Sequence, residues 1–170
     1  MKIALLTDTH FGIKNDNQIF QKYLNKFFSD VFFPYIDDHD IKTIIHLGDL
    51  VDRRKTINFL TLNNLRKSFI QPAFDRSITT HIIVGNHDVY YKNTNQINAI
   101  NELYGEAPFI WSYEDVITTE FDGLKVCFVP WICSENYEES MDGIEESDAQ
   151  VLMGHLEIRG YLLQKGIHSM

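Results

Sequence analysis

At 170 residues the chain is long enough to bury one full hydrophobic core, and 44% hydrophobic with 13% aromatic content excludes a disordered segment. With 15 Lys and Arg against 24 Asp and Glu, the net charge is −9, which argues against a generic basic nucleic-acid binder unless bound cations supply positive charge locally. Two cysteines, Cys127 and Cys133, make no disulfide framework, and no apolar run approaches a membrane span, so the chain reads as a reduced cytoplasmic protein with no membrane partner.

In chain order, Ile3 to Leu6 is a short apolar run sized for a central strand; Asp8 interrupts it too early for an export signal. It ends at Thr7-Asp8-Thr9-His10, and Gly12 then frees the backbone. From Asp16 the period changes: Phe20, Leu24, Phe27 and Val31, with Tyr23 and Phe28 alongside, predict one apolar helix face. Asn15 or Asp16 is its N-cap, and Pro34 should kink or end it. Asp37 to Asp40 is connector and Lys42 to Leu47 the next strand.

After a loop over Gly48 to Lys55, the residues Ile57, Leu60, Leu62, Leu65 and Phe69 predict a second amphipathic helix closing near Pro72. His81 to Val84 is a third strand, and Ile97, Ile100 and Leu103 mark a helix over Asn95 to Tyr104. Alternating runs Val116 to Phe121 and Leu124 to Val129 flank Asp122-Gly123, a hairpin signature. Glu135 to Asp148 holds seven carboxylates and no basic residue. Its stripe of Tyr137, Met141 and Ile144 is read as a solvated helix, with a partner-binding surface as the alternative. Ala149 to Met153 is a last buried strand ending in Gly154-His155. With no repeat or linker, residues 1–170 form one domain, and strand–helix alternation followed by a hairpin predicts a mixed sheet system flanked by helices.

The chemistry collects at the strand ends. Singly, Asp8-x-His10, Gly48-Asp49, Gly85-Asn86-His87-Asp88 and Gly154-His155 are weak signals, each as compatible with a turn or cap as with a ligand. Jointly, four apolar strands each deliver a donor for a divalent ion: Asp8 and His10, Asp49, Asn86, and His155. In an α/β sheet, strand ends converge where ligands bind. Carboxylate, imidazole and amide oxygen together suit Mn, Fe or Zn. Two cations roughly 3.5–4 Å apart can clamp a phosphoryl oxygen and convert water to hydroxide at neutral pH.

Asp8-Thr9-His10, Gly48-Asp49-Leu50-Val51-Asp52-Arg53, Gly85-Asn86-His87-Asp88 and Gly154-His155 match, in order, the first four signatures of the calcineurin-like metallophosphoesterases. Within that group the chain most resembles the nuclease subunits of SbcCD-type recombination and repair complexes, the shorter T-even phage subunits among them. The supporting segments are Tyr91-Lys92 after the third signature, Pro130-Trp131, and Leu156-Glu157 after the fourth. The resemblance implies a four-layer α/β/β/α sandwich of two mixed sheets flanked by helices. It also implies a dinuclear centre of Mn²⁺, with Mg²⁺, Fe²⁺ or Zn²⁺ as options. Asp8 and His10 would hold one ion, Asn86 and His155 the other, and Asp49 would bridge.

By the same resemblance His87 is the general acid, Asp52 orients its imidazole, and Arg53 or Arg54 grips phosphate. The implied activity is metal-dependent hydrolysis of DNA beside an SbcC-like ATPase. A homodimer through Ile57 to Ile70 and Ile97 to Tyr104 is implied too. A phosphomonoesterase, a small-substrate phosphodiesterase or a catalytically incomplete scaffold are the alternatives. The family's fifth signature, Gly-His-x-His, does not occur in this sequence, and His168 lacks that motif around it. The expectation is therefore a domain cut short before its last metal ligands and its DNA-capping region, or a reduced and inactive variant.

Overall fold

The structure, a computed structural model, describes residues 1–158, with strand backbone at 162–164 and 167–168. Strands β1 (Ile3–Leu6), β2 (Thr43–His46), β3 (Thr79–Ile83) and β4 (Ile110–Tyr113) form a wholly parallel sheet in the order β1-β2-β3-β4. The two middle strands are covered on both faces, which is why β2 and the end of β3 are unbroken β-branched runs rather than alternating ones. Contrary to the reading of Ile3 to Leu6 as central, β1 is an edge strand among the described residues, and Leu5 is exposed. Strand β4 carried too weak a pattern to be anticipated.

Register levels the sheet's outlet. Leu6 pairs with His46 and His46 with Ile82, so three chain segments leave the sheet from one row. Residues Asp8, Asp49 and Asn86 follow within a few positions of that row.

The second sheet holds β5 (Ile117–Phe121), β6 (Leu124–Val129) and β7 (Val151–Gly154); β5 and β6 are antiparallel, β6 and β7 parallel. The expected hairpin forms, with Asp122 and Gly123 both at positive φ as a type I′ turn requires. β7 is only half-buried rather than fully buried, and Leu152 faces solvent. A further antiparallel pair, β8 (Leu162–Gln164) and β9 (Ile167–His168), follows. The two main sheets face each other across Ile45, Ile83, Phe121, Val126 and Phe128.

Helices flank this pair, giving the expected sandwich, although only the second sheet is mixed. After the short turn α1 (Ile13–Asp16) come α2 (Gln18–Phe27), a π-helical turn at Phe28–Phe32 and α3 (Phe33–Asp38). The second unit repeats the design with α4 (Phe59–Leu65), a π turn at Arg66–Ile70 and α5 (Gln71–Asp75). Both units pack on the first sheet around Phe11, Phe28, Leu65, Phe69 and Ile82, all fully buried. Each such side chain contributes about 1.5–3 kcal/mol. α6 (Ala99–Tyr104) lies against β4 and α7 (Tyr137–Glu145) against β6. No described helix is long and apolar enough to cross a membrane.

Three helix expectations are corrected. The N-cap is Asn17, whose side chain accepts from the Ile19 N–H, because Asn15 and Asp16 take positive φ and Asp16 is occupied elsewhere. Neither Pro34 nor Pro72 ends its helix. In each unit a π turn shifts the hydrogen bond one residue on, Phe33 N–H to Phe28 O and Gln71 N–H to Arg66 O. Each proline then falls in the first turn of a new helical segment, where its missing N–H costs little. Finally, the inward face runs through Gln21, Phe28, Phe32, Phe33 and Ile36, while Phe20, Tyr23, Phe27 and Val31 are exposed.

Candidate metal centre

Two loops zip together beyond the sheet. The N–H groups of Asp8, His10 and Phe11 donate to the carbonyls of Gly48, Asp49 and Leu50 at 3.1, 3.0 and 2.9 Å. To follow that path Asp8, His10 and Asp49 adopt φ of 52°, 41° and 55°, a left-handed conformation that costs about 1–3 kcal/mol per residue and concentrates at functional sites. Two glycines make the approach possible. A side chain at Gly48 would begin 2.6 Å from His155 Nδ1, and one at Gly85 would begin 2.3 Å from both the nitrogen and Oδ1 of Asp49.

Asp49 is the hub. Its carboxylate is 3% exposed, and Oδ1 accepts the His87 backbone N–H at 2.8 Å. Oδ2 lies 3.5 Å from His10 Nε2 and 3.5 Å from His155 Nε2. Burial pushes its carboxyl up, but His155 and the His87 N–H outweigh that and hold it below the usual carboxylate range. Asp8 Oδ1 adds a second carboxylate 3.4 Å from His10 Nε2.

The donor set is one that a cation completes. His155 Nδ1 lies 2.8 Å from the Leu47 carbonyl, which can only accept, so Nδ1 carries the hydrogen. Nε2 then turns a lone pair on Asn86 Oδ1 at 2.9 Å and on the Asp49 carboxylate. Three electron-pair donors facing one point need a proton or a metal between them. In the metal-free chain a proton serves: burial opposes it, yet Asp49 pushes the imidazole up to about 9. His10 Nδ1 is buried without a hydrogen-bond partner. Two groups of possible ligand atoms each fall within 4.8 Å, Asp8–Asp49–His155 and His10–Asp49–His87. The chemistry and the clustering fit divalent ions.

All five residues expected to hold metal, Asp8, His10, Asp49, Asn86 and His155, meet at this rim, with Asp49 in both groups. Asp8 Oδ1 lies within 3.4 Å of His10 Nε2 and Asn86 Oδ1 within 2.9 Å of His155 Nε2, the two pairs the resemblance implies, while Asp8 also clusters with His155 and His10 with His87 around Asp49. The side chain of His168 lies outside the described residues. His87 Nδ1 is anchored at 2.6 Å by the main-chain carbonyl of Asp52, not by its carboxylate, which lies instead 3.6 Å from His10 Nδ1. Neither arginine stands free. Arg53 is paired with Asp16, which also accepts from Thr61, and Arg54 stacks over Trp131 at 5.2 Å.

Sequence reasoning missed Asp88. It is fully buried and its carboxylate accepts three backbone N–H groups, from Asp49 (2.8 Å), Gly85 (3.0 Å) and Val51 (3.1 Å). One side chain therefore fixes the loops that present Asp49, Asn86 and His87. Burial drives its carboxyl up to about 7 against the pull of those donors. Its place as fourth residue of Gly85-Asn86-His87-Asp88 was the available signal. His46 was missed too: fully buried under the first loop, it meets Thr9 Oγ1 at 2.9 Å, and burial lowers it to about 4.

Two facing sheets with helices outside, and acidic and imidazole donors at the strand ends, define a metallophosphoesterase, and the chain belongs to the calcineurin-like phosphoesterase family, whose model matches residues 1–166. It is 36% identical over 169 residues to exonuclease subunit 1 of Enterobacteria phage T4, a match covering 99% of this chain and 49% of that protein. The chain thus spans about half the length of the curated relative it matches. Among solved structures, a protein of unknown function from Aquifex aeolicus superposes with a TM-score of 0.42 at 18% identity, over 92% of this chain and 79% of that one.

Proposed function

We propose that this chain is the catalytic domain of a metal-dependent DNA nuclease that hydrolyses phosphodiester bonds. The observation that carries the reading is Asp49, a buried carboxylate shared by both groups of possible ligands. The T4 relative is an exonuclease subunit, which supports a nucleic-acid substrate and a partner subunit; we take these to be DNA and an SbcC-like ATPase. Asp8, His10, Asp49, Asn86 and His155 would hold two ions, Mn²⁺ first among the candidates. When bound, such ions supply Lewis acidity and hydroxide at neutral pH.

The chain's own residues do the rest. Because Nδ1 of His87 donates to a carbonyl, its Nε2 is free to carry the proton that the departing alkoxide needs. The ring stands edge-on to His10 at 4.9 Å, beside the proposed ligands. Asp52 serves through its carbonyl as the positioning group. Arg54, with a buried Nη1 lacking a partner, is the better placed arginine for phosphate, since Arg53 is held by Asp16.

Incubation with Mn²⁺ and linear DNA, bis-(p-nitrophenyl) phosphate or p-nitrophenyl phosphate tests the reading. DNA and the diester are expected to be cleaved and the monoester spared; preference for the monoester would overturn it. His87→Ala is expected to retain metal while slowing diester cleavage about 10²–10⁴-fold.

A homodimer belongs to this reading. In the segments expected to form it, Leu65, Phe69, Ile70 and Ile100 are buried while Phe59, Leu60 and Ile97 are exposed; Phe20, Tyr23, Phe27 and Val31 leave a further apolar stripe on α2 and the turn after it, to which we assign the contact. Contiguous exposed patches of this kind mark interaction sites. Light scattering is expected to give twice the chain mass for the wild type and the single mass for Tyr23→Glu.

A further inference from the structure

The loop that follows Asp49 also lines, through Val51, Arg53 and Arg54, a cavity of about 180 Å³. Its walls are apolar, formed by Ile57, Tyr90, Ile97 and Leu103, and its rim carries Arg54 and Lys55. The loop joins the two sites physically. Val51 lines the cavity while its N–H donates to Asp88, and the next residue, Asp52, anchors His87 through its carbonyl.

Three features define what would enter. Small-molecule pockets usually measure about 300–1,000 Å³, so this one has room for a single ring system rather than a whole ligand or a helix. With Arg53 held by Asp16, Arg54 and Lys55 line it against one carboxylate, Glu102, in a chain of net charge −9, so the lining favours an anion. Arg54 has a buried Nη1 with no hydrogen-bond partner, and Lys55 lies 5.0 Å over the Tyr90 ring. A flat aromatic group attached to a negatively charged group satisfies all three. Tyrosine and aliphatic walls accept the face of any base, and base–aromatic stacking is tolerant of sequence. A neutral side chain from a protein partner would fill the apolar walls but bring no anion to Arg54 and Lys55, whose neighbours are the rings of Trp131 and Tyr90.

We infer that this cavity receives a nucleobase of the substrate strand, with Arg54 and Lys55 on the adjoining phosphate. The inference deepens the nuclease reading and rests on it for the identity of the substrate. The site lets the enzyme hold a nucleotide unstacked from its neighbour beside the bond to be cut.

The test is equilibrium binding by calorimetry to the whole chain, with and without Mn²⁺, using thymidine 5′-monophosphate and 2-deoxyribose 5-phosphate. The nucleotide is expected to bind at least about tenfold more tightly than the sugar phosphate. Tyr90→Ala is expected to remove most of that ratio, and Ile97→Glu, which puts a carboxylate into an already exposed wall position, to do the same. Equal affinity for the two probes in the wild type would overturn the base site and leave the phosphodiesterase reading intact. A tenfold preference in a chain that cleaves neither DNA nor the diester would support the base site and sink the nuclease reading. A wild-type preference that neither substitution reduces would put the base elsewhere and overturn the assignment.

Discussion

At the scale of single residues, the site depends on how few groups do the positioning. Asp49 accepts the His87 N–H, faces two imidazoles and gives its own N–H to Asp88. Asp49→Asn keeps nearly the same shape and removes the charge. If one carboxylate serves both ions, elemental analysis after Mn²⁺ loading is expected to fall from two equivalents to fewer than one. Retention of one full equivalent would refute the sharing. The glycines on either side have no such latitude, because Gly48 and Gly85 sit where any side chain would collide with His155 or Asp49. Asp88 and His46 act from beneath, by holding loops rather than by touching substrate.

At the scale of elements, two helices built alike support the rim. Each uses a π turn to carry its chain past a proline, and the two turns meet at Phe28 and Phe69, whose rings lie 5.2 Å apart. Phe28 also stacks on Phe11, one residue after His10, so the aromatic cluster reaches the loop that carries Asp8 and His10. Phe28→Ala is expected to cost about 3–5 kcal/mol in urea unfolding, as large-to-small changes at fully buried aromatics do. A loss below about 1 kcal/mol would mean that the cluster closes over the gap and does not brace the loop. Much of this architecture was readable from periodicity: β1, β2, β3 and β7, the hairpin and both long helices stand within a few residues of where the pattern puts them, while β4, β8 and β9 gave no signal. The choice of buried face was not, because the first helix offers two apolar stripes, Phe20–Tyr23–Phe27–Val31 and Leu24–Phe28–Phe32–Ile36, and spacing does not rank them.

At the scale of the whole molecule, the two facing sheets trap a histidine. His81 on β3 bonds Tyr113 at 2.7 Å among Phe121 and Phe128, and burial lowers it to about 4. Below pH 6.5 the unfolded chain takes up a proton that the folded chain refuses until about pH 4. The stability is therefore present in full above 6.5 and is lost as pH falls towards 4. Asp88, raised to about 7, acts in the opposite sense over much of that range. The contribution of His81 is thus read as a difference: His81→Gln is expected to lose less stability than the wild type between pH 6.5 and 4, by up to about 1.4 kcal/mol per pH unit. Parallel curves in urea titrations of the two proteins would show that His81 accepts its proton in the folded state after all.

What the chain of letters determined alone was the order of elements and the donors at their ends. Both are local properties: hydrophobic period follows from the geometry of a few consecutive residues, and Asp8, His10, Asp49, Asn86 and His155 each come within a few residues of the end of an apolar strand. Tertiary structure decided what each side chain finds opposite it. It set β1 at an edge, brought Asp8 to His155, drew Arg53 onto Asp16 and turned Asp88 inward to the N–H groups of Asp49 and Val51. Those outcomes depend on the register between strands and on partners far away along the chain, and no window of neighbouring residues contains them.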